Sequence, residues 1–328
     1  MRLKANILLL LAAAIWGFAF VAQRVGMDYI GPFTYNGVRF ALGAFSLLPL
    51  IYFFPANSSP ANGGRKEAGP AAITLKVGLG AGLILFAGAS LQQIGLIYTS
   101  AGKAAFITGL YIVLVPVMGI FLRQYINTCT WLGCVFAVAG LYFLCVKQGF
   151  VISYGDLFEL AGAFFWTLHI LYIDYFSRKV DTLQLALFQF ITCSLLSLVV
   201  AWLWETISLT SLQQAGLAIL YGGICSVGVA YTLQIIGQKY AEPSHAAIIL
   251  SMETVFAAVG GYIILDERLG WAELLGCGLM MTGMLLAQLK SFNVAVVAKQ
   301  IGDLIKGYWP ETVVSRETFI PPGRKENH

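Results

Sequence analysis

Charge is what this sequence has least of. Asp, Glu, Lys and Arg make up 11% of its 328 residues against 59% hydrophobic ones, and the mean hydropathy is +0.79. Ordinary soluble domains carry roughly 25% charge and about 45–50% apolar residues, so no soluble interior hides this much apolar surface. Also absent are an HExxH helix, a GxSxG turn and a glycine-rich phosphate loop, which excludes primary ATP-driven pumping by this chain. The net charge of +4 comes from Lys and Arg spread along the sequence rather than from a basic block with interleaved aromatics. No nucleic-acid partner is therefore expected. Six cysteines, Cys129, Cys134, Cys145, Cys193, Cys225 and Cys277, lie in or beside apolar runs without metal spacing. They read as buried thiols, and no metal or other cofactor is expected.

What fills the sequence instead is a series of apolar runs, each roughly 18–25 residues, the length that crosses a hydrocarbon core of about 30 Å. The runs lack the strict alternation of barrel strands, so the helix is the backbone that satisfies its own hydrogen bonds there. The expected class is an all-α integral membrane protein of ten transmembrane helices. They are placed at 6–25, 34–54, 73–98, 103–122, 129–146, 155–174, 183–204, 212–237, 243–264 and 271–290. The opening MRLKANILLLLAAAIWGFAFVA imitates a signal peptide, yet its apolar run continues through Val25 and fits a retained first helix. PANSSPANGGRKEAGP, 55–70, reads as a solvated loop. After Lys290, Val294, Val297, Ile301, Leu304, Ile305 and Tyr308 recur at helical spacing, suggesting an interfacial helix in a cytoplasmic tail over 291–328. Arg2, Lys4, Arg65, Lys66, Lys76, Arg123, Arg178, Lys179, Lys239 and Lys290 fall on one side, and only Arg24, Lys103, Lys147 and Arg268 on the other. The positive-inside rule then puts both termini in the cytoplasm.

Internal comparison divides the chain. LQQIGLIYTSAGKAA, 91–105, lies over LQIIGQKYAEPSHAA, 233–247, with Leu91, Gln92, Ile94, Gly95, Tyr98, Ala104 and Ala105 matched at one offset. GCVFAVAG, 133–140, lies over GCGLMMTG, 276–283, and Trp16 with Phe40 lies over Trp166 with Phe190. Each half, 1–146 and 155–290, holds an odd number of helices, so the second copy enters the membrane from the opposite face. That is an inverted repeat.

The residues resemble the EamA-type permeases of the drug/metabolite transporter superfamily. IWGFAFVAQRVGMDYIGPFTYNGVRFALGA, 15–44, is similar to that family's Trp-Gly in helix one and Arg-Phe in helix two. SMETVFAAVGGYIILDERLGWAELLGCGLMMTG, 251–283, resembles its repeat ending, with Asp266, Glu267 and Arg268 at an acidic turn. In the first copy Arg123, Gln124 and Tyr125 stand where the second has Leu265, Asp266 and Glu267, and Thr167 rather than Gly follows Trp166. The resemblance implies carriage of amino acids, other metabolites or drugs, and the cell inner membrane as location.

An inverted repeat places its substrate near the midplane between the halves, so central polar and aromatic residues are the candidates. Trp16 and Trp166 sit near the middles of helices one and six and either wall a cavity or pack helices. Gln92 and Gln234 form a second symmetric pair, able to bind a zwitterionic solute or to bond neighbouring helices at about 0.6–2 kcal/mol. Arg39 lies near the start of helix two, where it either snorkels to headgroups or meets a substrate carboxylate. Gln189 occupies the equivalent place in the second copy. His169, one turn past Trp166, is either a proton carrier or a buried, hydrogen-bonded ring. Glu253 stands in the middle of helix nine with no route to water. Burying a carboxylate costs about 2.5–3.5 kcal/mol on insertion scales; the site is expected to take a proton from one side and release it to the other, or else to bond a neighbouring helix. Tyr111 is its counterpart in the first half. Gly78, Gly80, Gly82, Gly88 and Gly95 give helix three a smooth packing face.

The expected function is secondary transport of a small solute by alternating access, with efflux as the direction and protons as a coupling partner, in a monomer or homodimer within the bilayer. Two alternatives stand beside it. Gly88-Ala89-Ser90 with His169 or His245 allows an intramembrane serine hydrolase, and an uncoupled channel or facilitator needs no coupling group.

Overall fold

The reason these segments fold as helices is visible at their ends, where polar residues satisfy backbone groups that hydrocarbon leaves without partners. A computed structural model describes residues 2–53, 71–99, 101–122, 126, 128–145, 153–264 and 270–288. The helices are α1 (Arg2–Gly26), α2 (Pro32–Phe53), α3 (Ala71–Tyr98), α4 (Ala101–Gly109), α5 (Tyr111–Phe121), α6 (Thr128–Cys145), α7 (Tyr154–Phe176), α8 (Thr182–Trp204), α9 (Leu209–Gln214) and α10 (Gly216–Leu220). A π-helical stretch (Tyr221–Tyr231) follows, and then α11 (Thr232–Gln238), α12 (Pro243–Leu250), α13 (Glu253–Ile264) and α14 (Trp271–Gln288). Eight spans among the described residues are long and apolar enough to cross a membrane, and two shorter apolar helices cover Thr128–Gly140 and Leu274–Leu286. The chain is an all-helical, multi-pass integral membrane protein.

Ser153 opens α7 with a capping box: its hydroxyl accepts from Asp156 N at 3.3 Å, and Asp156 Oδ2 accepts from Ser153 N at 2.7 Å. Asp181 caps α8 through Gln184 N at 2.8 Å. The start of α2 is capped from another helix. Glu205, at the end of α8, accepts from Phe33 N at 2.8 Å, Thr34 N at 2.7 Å and Thr34 Oγ1 at 2.6 Å.

Three expected helices are interrupted. The fourth breaks at Leu110, between α4 and α5, and the ninth at Ser251–Met252, between α12 and α13. Glu253 therefore opens a helix rather than sitting mid-helix, and Tyr111 opens one at the matching place in the first half. Gly109 ends α4 just before the first break, whereas no Gly or Pro marks the second, which therefore does not show in the sequence. Pro116 in α5 has no N–H for the Ile112 carbonyl one turn back, and the Cys134 thiol of α6 fills that role at 3.4 Å. The eighth expected helix contains the π-helical stretch, whose sequence GGICSV is dense in small residues. The first helix begins at Arg2 rather than at 6. The expected loop at 55–70, the turns around Arg123–Tyr125 and Asp266–Arg268, and the tail at 291–328 lie outside the described residues.

Small residues set the closest packing. A Cβ on Gly140 of α6 would lie 2.6 Å from the Gly276 carbonyl oxygen of α14, and one on Gly283 of α14 would lie 2.6 Å from the Gly133 carbonyl oxygen of α6. The higher-numbered residue of each helix meets the lower-numbered residue of the other, so α6 and α14 run antiparallel. The α3 glycines pack as expected: Gly78 and Gly82 face Phe188 and Thr192 of α8, while Gly80, Gly88 and Gly95 face Tyr172, Trp166 and Glu159 of α7. Large apolar side chains such as Phe45, Phe121, Leu217 and Trp271 point outward, an exposure lipid covers.

Candidate functional site

Trp16 of α1 and Trp166 of α7 are held by their indole N–H groups. Trp16 Nε1 donates to the Ser226 carbonyl of the π-helical stretch at 3.2 Å, and Trp166 Nε1 donates to Gln92 Oε1 of α3 at 2.8 Å. Symmetric residues thus make different bonds, and Gln234 Oε1, the counterpart of Gln92 Oε1, is buried with no hydrogen-bond partner. Tyr231 stands between the indoles, its ring centroid 4.7 Å from Trp16 and 6.2 Å from Trp166. Phe40 and Phe190 close the aromatic cluster, at 6.0 and 5.9 Å from Tyr231.

Around this cluster lies a cavity bordered by Trp16, Arg39, Gln92, Tyr111, Trp166, Gln234 and Glu253. Seven of the nine site residues read from the sequence therefore meet in one place. The other two lie behind it. His169 Nε2 is 3.0 Å from Gln189 Oε1, both residues are fully buried, and the His169 ring contacts Trp166 and Tyr231, each at 6.2 Å between centroids. The cavity measures about 40 Å³ as room for the centres of water molecules, space for about three waters at 10–15 Å³ each. It is a small, partly open space.

Two charged side chains face it from opposite helices. Arg39 is 2% exposed. The snorkelling reading is thus corrected: the guanidinium turns inward and lies over the Tyr35 and Phe40 rings at 5.3 and 5.1 Å, a geometry that compensates lost hydration. Its Nε has no hydrogen-bond partner. Glu253 accepts a hydrogen bond at Oε1 from Tyr111 Oη at 3.0 Å, so the residues that open α13 and α5 bond each other across the cavity. Gly17 brings α1 close enough for this arrangement; a Cβ there would lie 2.6 Å from the Glu253 carbonyl oxygen.

The sequence reading missed Gln23, Thr108, Ser226 and Tyr231 among the lining residues. Thr108 lies one helical turn before Tyr111, a spacing that would have found it. Tyr231 has Ala89 at its matching position, so comparing the halves pointed away from it. Ser90 Oγ has no hydrogen-bond partner, while His169 lies against Gln189 and His245 Nε2 is 3.1 Å from Asn6 Oδ1. Neither of the two histidines among the described residues bonds that serine.

The profile of the EamA-like transporter family matches the chain twice, over residues 3–146 and 153–289. The chain belongs to this family. A protein of Archaeoglobus fulgidus described as an uncharacterized transporter is 30% identical over 290 residues, covering 88% of this chain and 87% of its own. The uncharacterized transporter YoaV of Bacillus subtilis is 23% identical over 276 residues, covering 82% of this chain and 91% of its own. A solved crystal structure superposes with a TM-score of 0.71 at 18% identity, covering 92% of this chain and 99% of that one, a likeness of fold. Membrane transport is accordingly the general activity of this EamA-like protein.

Proposed function

We propose that this chain is a proton-coupled secondary transporter of ten spans in two inverted five-helix repeats, 1–146 and 155–290, exporting an amino acid or related small solute across the inner membrane. Both termini are cytoplasmic in this reading. The observation that carries it is the Tyr111–Glu253 hydrogen bond, which joins the two halves at matching helix breaks on the wall of one cavity. Interrupted helices at corresponding positions are where inverted-repeat transporters hold substrate and coupling ions. The antiparallel α6–α14 contact, in which Gly140 meets Gly276 as Gly283 meets Gly133, supports inversion, because a two-fold axis in the membrane plane produces that reciprocity. The solute class follows from the lining. Arg39 offers a cation to a carboxylate, Glu253 an anion to an ammonium, and the two indoles and Tyr231 an apolar surface between them.

In this mechanism Glu253 exchanges partners. With the cavity empty it holds Tyr111 Oη, and the halves are locked by that bond. A solute ammonium or a proton arriving at Glu253 competes for the carboxylate, and closure on one side proceeds with opening on the other. The test is flux of a panel of labelled amino acids in proteoliposomes under an imposed proton gradient. Glu253→Gln is expected to abolish gradient-driven accumulation and to leave solute exchange across the membrane slower but measurable. Full accumulation by that variant, with unchanged pH dependence, removes Glu253 from coupling.

A further inference from the structure

Outside the group just described, the protein buries a second carboxyl. Glu159 stands five residues into α7 and is fully buried. At 1.5 Å per residue it lies about 8 Å below the start of that helix. Its Oε2 accepts a hydrogen bond from Thr108 Oγ1 of α4 at 3.1 Å, and its Oε1 has no partner. The unpaired oxygen rests over Gly95 of α3, where a Cβ would come within 2.6 Å. Any residue but glycine at that place would displace the carboxyl.

The matching position in the first half is Leu9, which packs apolarly against Gly237, the counterpart of Gly95. A carboxyl here is therefore a departure from the repeat, as Glu253 is beside Tyr111. Both departures attach to one short segment: Thr108 bonds Glu159, and Tyr111, three residues later across the Leu110 break, bonds Glu253. Thr108 also lines the cavity. The residue that bonds the second carboxyl is thus also part of the cavity wall.

An intramembrane carboxyl left half-satisfied is costly, and function is the usual reason for one to persist. The groups shown around Glu159 are Thr108 on α4 and Gly95 on α3, with Asp156 one turn earlier on α7 and Thr99, just past the end of α3, bonded to Asp156. Asp156 belongs to the capping box and accepts from Thr99 Oγ1 at 3.1 Å. Asp156 in the first turn of α7, Glu159 one turn later and its partner Thr108, a cavity-lining residue, lead from the helix start toward the cavity.

We infer that Glu159 is a second proton-exchanging site, which passes protons between the end of the bundle where α7 begins and the cavity by way of the Thr108 hydroxyl. In the inward step the Thr108 hydroxyl, which donates to Glu159 in the resting arrangement, rotates toward a cavity water; the carboxylic proton of Glu159 then moves to Thr108 Oγ1 as the hydroxyl gives its own proton to that water. The threonine is unchanged at the end, and the proton becomes available to Glu253. This last delivery rests on the coupling role proposed for Glu253; the exchange at Glu159 itself does not.

Infrared difference spectroscopy of the full chain in lipid vesicles tests the inference without a known solute. The protonated-carboxyl stretch lost in Glu159→Gln identifies this group, and the one lost in Glu253→Gln identifies the other. The Glu159 band is expected to change intensity as bulk pH is stepped between about 5 and 9. Thr108→Val is expected to slow exchange between the two bands by about a hundredfold, and Thr108→Ser to restore it. A Glu159 band that stays constant over that range overturns the inference, as does exchange in Thr108→Val at the wild-type rate. A constant Glu253 band beside a responsive Glu159 band sinks the coupling role of Glu253 and leaves the Glu159 site standing.

Discussion

The glycine contact between α6 and α14 makes a quantitative prediction. Alanine at Gly140 places a methyl group 2.6 Å from a backbone carbonyl oxygen, whereas ordinary van der Waals contacts begin at 3.4 Å, so the helices have to separate by about 0.8 Å. A side chain in the way would rotate; the Gly276 carbonyl cannot. Overpacking of this kind costs about 1–3 kcal/mol. Gly140→Ala and Gly283→Ala are each expected to lose about 2 kcal/mol, roughly a thirtyfold fall in the folded-to-unfolded ratio. The double variant should cost less than the sum, because one separation relieves both contacts. Gly278, also on α14, has nothing within 4 Å of its added Cβ, so Gly278→Ala is expected to stay within about 0.5 kcal/mol of wild type. Reversible unfolding in mixed micelles, followed by far-UV circular dichroism, measures all four. Equal stability of Gly283→Ala and Gly278→Ala would refute the backbone-to-backbone contact.

Further outcomes are expected elsewhere. Tyr111→Phe leaves Glu253 Oε1 without its donor, and its stability in the same unfolding assay should fall by about 1–3 kcal/mol. Glu205→Ala removes three hydrogen bonds from the start of α2; amide hydrogen exchange at Phe33 and Thr34 is expected to rise, with a stability loss of about 0.5–2 kcal/mol, and protection unchanged there would show that the cap is not holding. Arg39→Lys keeps the charge but loses the planar stacking on Tyr35 and Phe40, so the apparent affinity for a carboxylate-bearing solute in the flux assay is expected to drop about tenfold, while an unchanged affinity places the carboxylate elsewhere.

The sequence exposes whatever depends on composition and on the repeat. Helix positions follow from apolar runs, and Trp16 with Trp166, Gln92 with Gln234 and Tyr111 with Glu253 emerge from alignment of the halves, because a residue repeated at the midplane is conspicuous in hydrocarbon. What stays hidden is a helix break that its own residues do not announce, or a local departure from symmetry. The Ser251–Met252 break has no Gly or Pro, and Tyr231 lies opposite Ala89. Arg39 looks like a snorkelling residue by depth alone; the rings of Tyr35 and Phe40, one helical turn and one residue away, turn it inward. Glu159, a carboxylate five residues into an apolar run, has Leu9 at its matching position, so comparing the halves does not single it out.

The Tyr111–Glu253 bond also bears on ancestry. Suppose that, in the inverted-repeat arrangement proposed above, each half paired with a copy of itself about the two-fold axis. Two first halves would set Tyr111 against Tyr111, with no acid between them. Two second halves would set Glu253 against Glu253, a juxtaposition that disfavours ionising both, and would crowd a second Tyr231 into the space that Ala89 leaves open. Neither pairing reproduces one donor facing one carboxylate. Fusing the halves into one polypeptide permits that difference, since it lets each copy mutate alone at a place where a self-paired ancestor changes both sides at once.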